Sequence, residues 1–161
     1  MSDVWAYAYI GDEKAIARAI EATILDTCIR INNRDFDLPT DIDANGWTRF
    51  SNDFVYSPEY QPILAQDSRL AVEELERKGA KNLIELFRAM TVAYPEYRLV
   101  PIDYNTQVHE KAAWAESYVT IETTGLGDVT RQSVGVFEWK RDKAKRWWIT
   151  RYHGMAGMAG D

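Results

Sequence analysis

The chain is poor in the features that several functional classes require. Its 161 residues include one cysteine, Cys28, so no internal disulfide can form, and a reducing, cytoplasmic setting is expected. There are two histidines, His109 and His153. With a single cysteine they make a poor zinc set, and neither a metal nor a cofactor is expected. No apolar run approaches the roughly 20 residues that cross a bilayer, so no membrane association is expected. The opening MSDVWAYAYIGDEK lacks the basic start and apolar core of a signal peptide. Basic residues are outnumbered 19 to 25, for a formal net charge of -6. An acidic chain gains little from releasing counterions on nucleic acid, so no nucleic-acid partner is expected. Repeats and low-complexity linkers are absent. The length favours one domain, expected over residues 1–155 with a flexible tail at 156–161.

What is present reads as helices first and strands last. Ile16, Ile20, Ile24 and Cys28 recur every four residues, with Ile31 next, and predict one amphipathic helix from about Asp12 to Arg34 with Asp12 as its N-cap. The stretch DFDLPTDIDANGW, residues 35–47, is turn-rich and ends it. TRFSNDFVYS, residues 48–57, predicts a short strand in which Phe50, Asn52, Phe54 and Tyr56 oppose Arg49, Ser51, Asp53 and Val55. A second helix is predicted over about 61–78 and a third over about 80–94, the latter striped by Leu83, Phe87, Met90 and Tyr94 and stopped by Pro95. From Tyr97 onward the period changes to two. EYRLVPIDYNTQVHE, with an interruption expected at Pro101, AAWAESYVTIETT, VTRQSVGVFEWKR and RWWITRYHG read as four successive strands, and GLGD is a turn. Helices followed by an antiparallel meander is the α+β pattern.

The closing stretch SVGVFEWKRDKAKRWWITRYHGMAG, residues 133–157, packs three tryptophans together with Glu138, Arg151 and His153. Strict alternation puts Phe137 and Trp139 on one face and Glu138 and Lys140 on the other; in the last strand it groups Trp147, Ile149, Arg151 and His153. In the strand 112–124, Ala115, Ser117, Val119 and Ile121 oppose Trp114, Glu116, Tyr118 and Thr120. Neither face of these strands is purely polar, so both are expected to be covered, one by helices and one by a partner subunit.

A long amphipathic helix ending in INNRDFD, the short strand SNDFVY, more helix, and a meander closing on GVFEWKRDKAKRWWITRYHG resemble, in that order, the nuclear transport factor 2-like superfamily. This superfamily includes SnoaL-like polyketide cyclases, ketosteroid isomerases, scytalone dehydratases and limonene epoxide hydrolases. The resemblance covers roughly residues 12–155. It implies an α+β cone, N-terminal helices packed on a curved, mostly antiparallel sheet, with a pocket at its open end, and often a homodimer through the outer sheet face. Aromatic side chains would line the cone and the ionisable groups among them would do chemistry. Carried over position by position, the isomerase base falls on Asp53 of SNDFV, but the isomerase oxyanion tyrosine falls on Thr27. The dehydratase Tyr and Asp at the helix end fall on Ile31 and Asn32, and its strand Tyr on Phe54. The epoxide-hydrolase Asp–Arg–Asp set falls near Tyr118, Glu116 and Arg151, and is therefore absent; a Glu116–Arg151 pair is the replacement the positions allow.

The resemblance thus implies a small cofactor-independent enzyme doing acid–base isomerisation, cyclisation or dehydration on an apolar, polycyclic or polyketide-like substrate in secondary metabolism. Asp53, His109 and Glu116 are its expected catalytic residues, and Tyr118, Phe137, Trp139, Arg151 and His153 are expected to bind substrate. Each has a plainer alternative. Asp53 can be a strand-end carboxylate, the histidines can sit at the surface or rim, a Glu116–Arg151 pair can be architectural, and Phe137, Trp139 and Trp147 can be ordinary core. The other function class is a non-catalytic module of the same fold that binds a small ligand or a protein partner. The interior discriminates: a catalyst needs a titratable group in an apolar cavity.

Overall fold

The computed structural model describes Trp5, residues 12–56 and residues 79–155. The helix expected over 61–78 and the tail expected at 156–161 lie outside the described residues.

The first helix, α1, runs Glu13–Asn32. Asp12 caps it as expected, its carboxylate accepting from the Lys14 amide at 2.9 Å. Ile16, Ile20, Ile24, Cys28 and Ile31 are all buried, joined by Ala15, Ala19, Thr23 and Thr27 on the flank of the same stripe. The helix ends where side chains take over its terminal bonding. Asn32 donates to the Leu99 carbonyl and accepts from the Leu99 amide, both at 2.8 Å, so one amide side chain pairs with the start of β2 as a strand neighbour would. Arg34 then turns left-handed at φ 59, its guanidinium holding the carbonyls of Ile31 at 2.9 Å and Pro95 at 2.7 Å. The Asn–x–Arg motif is therefore a docking device between α1 and the sheet.

A 3-10 turn, Gly46–Arg49, leads into β1, Phe50–Tyr56. Trp47 in that turn is fully buried against Phe36, Phe50 and Phe87, and its indole N–H reaches the Asp35 carbonyl at 3.0 Å. Arg49 is also fully buried; it pairs with Asp43, donates to the Trp147 carbonyl and lies 4.3 Å from the centre of the Trp5 ring. The second described helix, α2, runs Ala80–Ala93 and buries Leu83, Ile84, Leu86, Phe87 and Met90. Gly79 precedes it at φ 94 and joins its amide to the Phe54 carbonyl, tying α2 to β1.

The strands β2, Arg98–His109, β3, Trp114–Leu126, β4, Val129–Arg141, and β5, Trp147–Met155, follow close to their expected limits. The sheet order is β1-β5-β4-β3-β2, with β1 parallel to β5 and the other pairs antiparallel. Register slips interrupt every strand pair: between Phe50 and Val55, between Pro101 and Asp103, between Thr123 and Leu126, and between Glu138 and Trp139. Bulges of this kind bend strands and curve a sheet. The concave face receives α1 and α2, and the core lies between them.

One bulge reverses a sequence expectation. In β5, Ile149 faces Trp139 and Arg151 faces Glu138, leaving Thr150 as the extra residue. Beyond it the alternation changes phase, so Arg151 and His153 turn to the convex face while Tyr152 turns inward and is buried. Strict alternation had grouped Arg151 and His153 with the buried Trp147 and Ile149.

The β4–β5 turn is built around Asp142. Its carboxylate accepts from the Arg146 amide and the Trp148 indole, each at 2.9 Å, and Lys145 adopts φ 64. Burial acts to raise the Asp142 pKa, but these bonds and the Arg146 charge outweigh it and lower it below the usual carboxylate value.

Two predictions follow from packing and charge. A methyl on Gly135 would overlap the Tyr152 ring, which packs on Phe137 at 4.6 Å. Gly135→Ala should destabilise the protein by about 1–3 kcal/mol in urea unfolding. The depressed Asp142 pKa means its stabilisation is fully present above the unfolded-state carboxylate pKa and lost as pH falls through the folded one. Asp142→Ala should therefore cost about 1–2 kcal/mol at neutral pH, and the difference from wild type should shrink below about pH 4; a cost that stays constant down to pH 2 would contradict this.

Candidate functional site

Between α1, α2 and the concave sheet the cone leaves a partly open pocket of about 40 Å³. Ile24, Thr27, Cys28 and Ile31 contribute from α1, Leu83 and Phe87 from α2, Phe50 and Phe54 from β1, and Leu99, Ile121, Phe137 and Tyr152 from the rest of the sheet. The helical stripe brings Ile24, Cys28 and Ile31 here for the same reason that it forms a helix: residues four or seven apart share a face. The lining is apolar apart from three groups. The Thr27 hydroxyl is committed to the Thr23 carbonyl at 2.9 Å. Burial pushes the Cys28 thiol up to about 12, so it stays protonated. Tyr152 supplies the third, a phenol at the inward-turned position after the β5 bulge. Tyr104, half-buried against the core, is likewise raised to about 12, by burial and by the neighbouring Cys28 and Glu21.

The residues singled out from sequence fall into two groups. Phe137 lines the cone, and Trp139 is fully buried at 5.7 Å from the Trp5 ring centre. The others stand on or beside the convex face. Asp53 is exposed on β1, while its neighbour Phe54 takes the inward position. Glu116 is half-buried and Tyr118 is 38% exposed, on the opposite side of β3 from the buried Ala115, Ser117 and Val119. His109 is exposed at the end of β2 and stacks on Trp114, ring centres 4.1 Å apart. His153 is half-buried on β5.

Arg151 pairs with Glu138 at 3.7 Å and not with Glu116. The register explains why. Glu138 lies directly across from Arg151, and Glu116 lies one strand further, across from Glu138. Alternation places Glu138 on the face opposite Phe137 and Trp139 but assigns it no partner. Its pairing was legible only once the β5 bulge was known.

The convex face carries a second concavity, a groove of about 760 Å³ bounded by Ser51, Asp53 and Val55 on β1, Trp114 on β3, Glu138 and Lys140 on β4, and Trp148 and Arg151 on β5. Among the described residues, no three His, Cys, Asp or Glu side chains are grouped to hold a metal ion. Also among the described residues, no helix is long and apolar enough to cross a membrane.

No family model matches the sequence, and no curated protein does. Solved structures do match at the level of shape. A nuclear transport factor 2-like protein of unknown function from Pseudomonas putida KT2440 is 14% identical, with TM-score 0.61 over 90% of this chain and 89% of its own. The Delta 5-3-ketosteroid isomerase from Mycobacterium sp. is 15% identical, with TM-score 0.53 over 86% of this chain and 96% of its own. A computationally designed 17-OHP binder is 11% identical, with TM-score 0.50 over 87% of this chain and 96% of its own. At these identities the likeness speaks to architecture alone: the chain has the nuclear transport factor 2-like fold, helices packed on a curved, mostly antiparallel sheet.

Proposed function

We propose that this chain is a non-catalytic binding module whose cone receives a small apolar ligand. The observation that carries the reading is the wall of the void: among the described residues lining it there is no carboxylate, imidazole, ammonium or guanidinium. General acid–base catalysis most often uses such a group, and less often a phenol, within about 3 Å of the proton it moves. Here the one thiol is held protonated, the threonine hydroxyl is engaged within its own helix, and the Tyr152 phenol has no carboxylate or imidazole beside it on the described wall to take its proton. What the wall offers instead is shape and dispersion contact, which bind but do not transfer protons. The fold leaves the reaction open, since an isomerase and a designed binder both use it.

Size sets the ligand class. A void of about 40 Å³ is well below the roughly 300–1,000 Å³ of sites for drug-sized molecules. It takes a few heavy atoms at rest, and a single ring only as Phe54, Phe87 or Leu83 change rotamer.

The test is a thermal-shift series of uncharged apolar compounds, from cyclopentane through benzene to naphthalene. A compound bound at one hundred times its Kd stabilises by about 2.7 kcal/mol, a rise of roughly 5–10 °C for a chain of this size. The smaller members should raise Tm and naphthalene should not. Cys28→Leu, which fills the void, should abolish the shift while circular dichroism shows a folded protein. No shift from any member, or a shift that survives Cys28→Leu, would contradict the reading.

A further inference from the structure

The convex groove is chemically unlike the cone: its three acidic and three basic residues balance in number, but not all of them are paired. Six of its lining residues are ionic: Asp53, Glu138, Asp142, Lys140, Arg141 and Arg151. Four of these have partners. Glu138 and Arg151 pair with each other at 3.7 Å. Arg141 donates to the Glu110 carbonyl at 3.1 Å and lies 4.0 Å from its carboxylate. Asp142 is saturated by Trp148 and Arg146. Lys140 and Asp53 are left without a partner among the described residues.

The two unpaired groups have different surroundings. Lys140 lies on β4 directly between Trp114 on β3 and Trp148 on β5, the three residues in register across the sheet. Adjacent strands are about 4.8 Å apart, so the two tryptophans stand roughly 10 Å apart at their Cα atoms with Lys140 on the strand between them. Both indoles are fixed. His109 stacks on Trp114 at 4.1 Å, and the Trp148 indole N–H is bonded to Asp142 at 2.9 Å. Asp53 has no aromatic partner in register. The Ser51 hydroxyl, also on the groove wall, is buried without a hydrogen-bond partner.

We infer that the convex groove is a binding site for a small ring-bearing carboxylate, its ring held against Trp114 and Trp148 and its carboxylate on Lys140. A cation set on the strand between two held indoles suits an aromatic anion on both counts: a charge-assisted bond to one end and aromatic contact on the other. The groove's volume of about 760 Å³ lies within the range of small-molecule sites. This inference does not rest on the cone reading, because the two sites share no lining residue.

The test is isothermal titration calorimetry with 2-naphthoate and its uncharged methyl ester at low salt, using Cys28→Leu protein so that the cone contributes nothing. The naphthoate should bind, weaken as salt is raised, and lose at least about tenfold in affinity in Lys140→Met, the loss typical of a charged hydrogen bond. Trp114→Ala, a change at an exposed position, should weaken it several-fold. The ester should bind Lys140→Met and its Lys140 parent alike. Unchanged naphthoate affinity in Lys140→Met, absence of binding at millimolar ligand, or sedimentation showing a second copy of the chain that covers this face and excludes the ligand would each overturn the assignment.

Discussion

A curved sheet leaves a hollow, and something apolar must fill it. In this chain α1 does so. Its stripe of Ile16, Ile20, Ile24, Cys28 and Ile31 is buried on the concave face, each isoleucine contributing about 1.5–3 kcal/mol by leaving water. Burial alone is non-directional, so it does not set where along the sheet the helix stops. Asn32 does that. By making both backbone bonds of Leu99, it fixes the helix end to the first residues of β2. Arg34 then carries the chain away beneath Pro95. The position of Thr27 and Cys28 over Ile121 and Phe137, and hence the cone wall, depends on that register.

The second determinant is which side of the sheet each strand residue meets. Alternation assigns most of them, and the bulge at Thr150 overrides it at one place that matters for chemistry. It sends Arg151 to the convex face beside Glu138 and brings Tyr152 under Gly135 and against Phe137. The result is a division of labour across one sheet. On the concave side the described pocket wall is apolar, with Thr27 bonded within its own helix and Cys28 held protonated. The convex side holds the ion pair, Lys140 and Asp53, which have no partner among the described residues, and the exposed indole of Trp114. Paired charges at exposed sites are worth little to stability.

Much of this was legible in the sequence, and the reasons for the rest are local. The four-residue spacing of isoleucines marked α1 to within two residues of its observed end, and the change to a period of two marked β2 to β5. The alternation of SNDFVY already set Asp53 opposite Phe50 and Phe54; the resemblance to isomerases, not the pattern, assigned it to the pocket. In the structure the inward member of that pair of neighbours is Phe54. Glu116 and Tyr118 likewise lie on the side of β3 that alternation made polar. What no periodicity contained was the β5 bulge, because one extra residue leaves no mark in composition. Nor did the sequence separate a covered polar face from an open one, which is a property of the assembled sheet.

Ligand entry to the cone turns on its being an apolar pocket bounded by Cys28, Phe54 and Phe137. The decisive measurement is a crystal of the protein pressurised with xenon, a monatomic apolar probe that such voids admit. The account predicts a single strong xenon peak between α1 and the concave sheet, in contact with those three side chains. An ordered water there, hydrogen-bonded to an ionisable group on the wall, would contradict it and return the cone to acid–base chemistry.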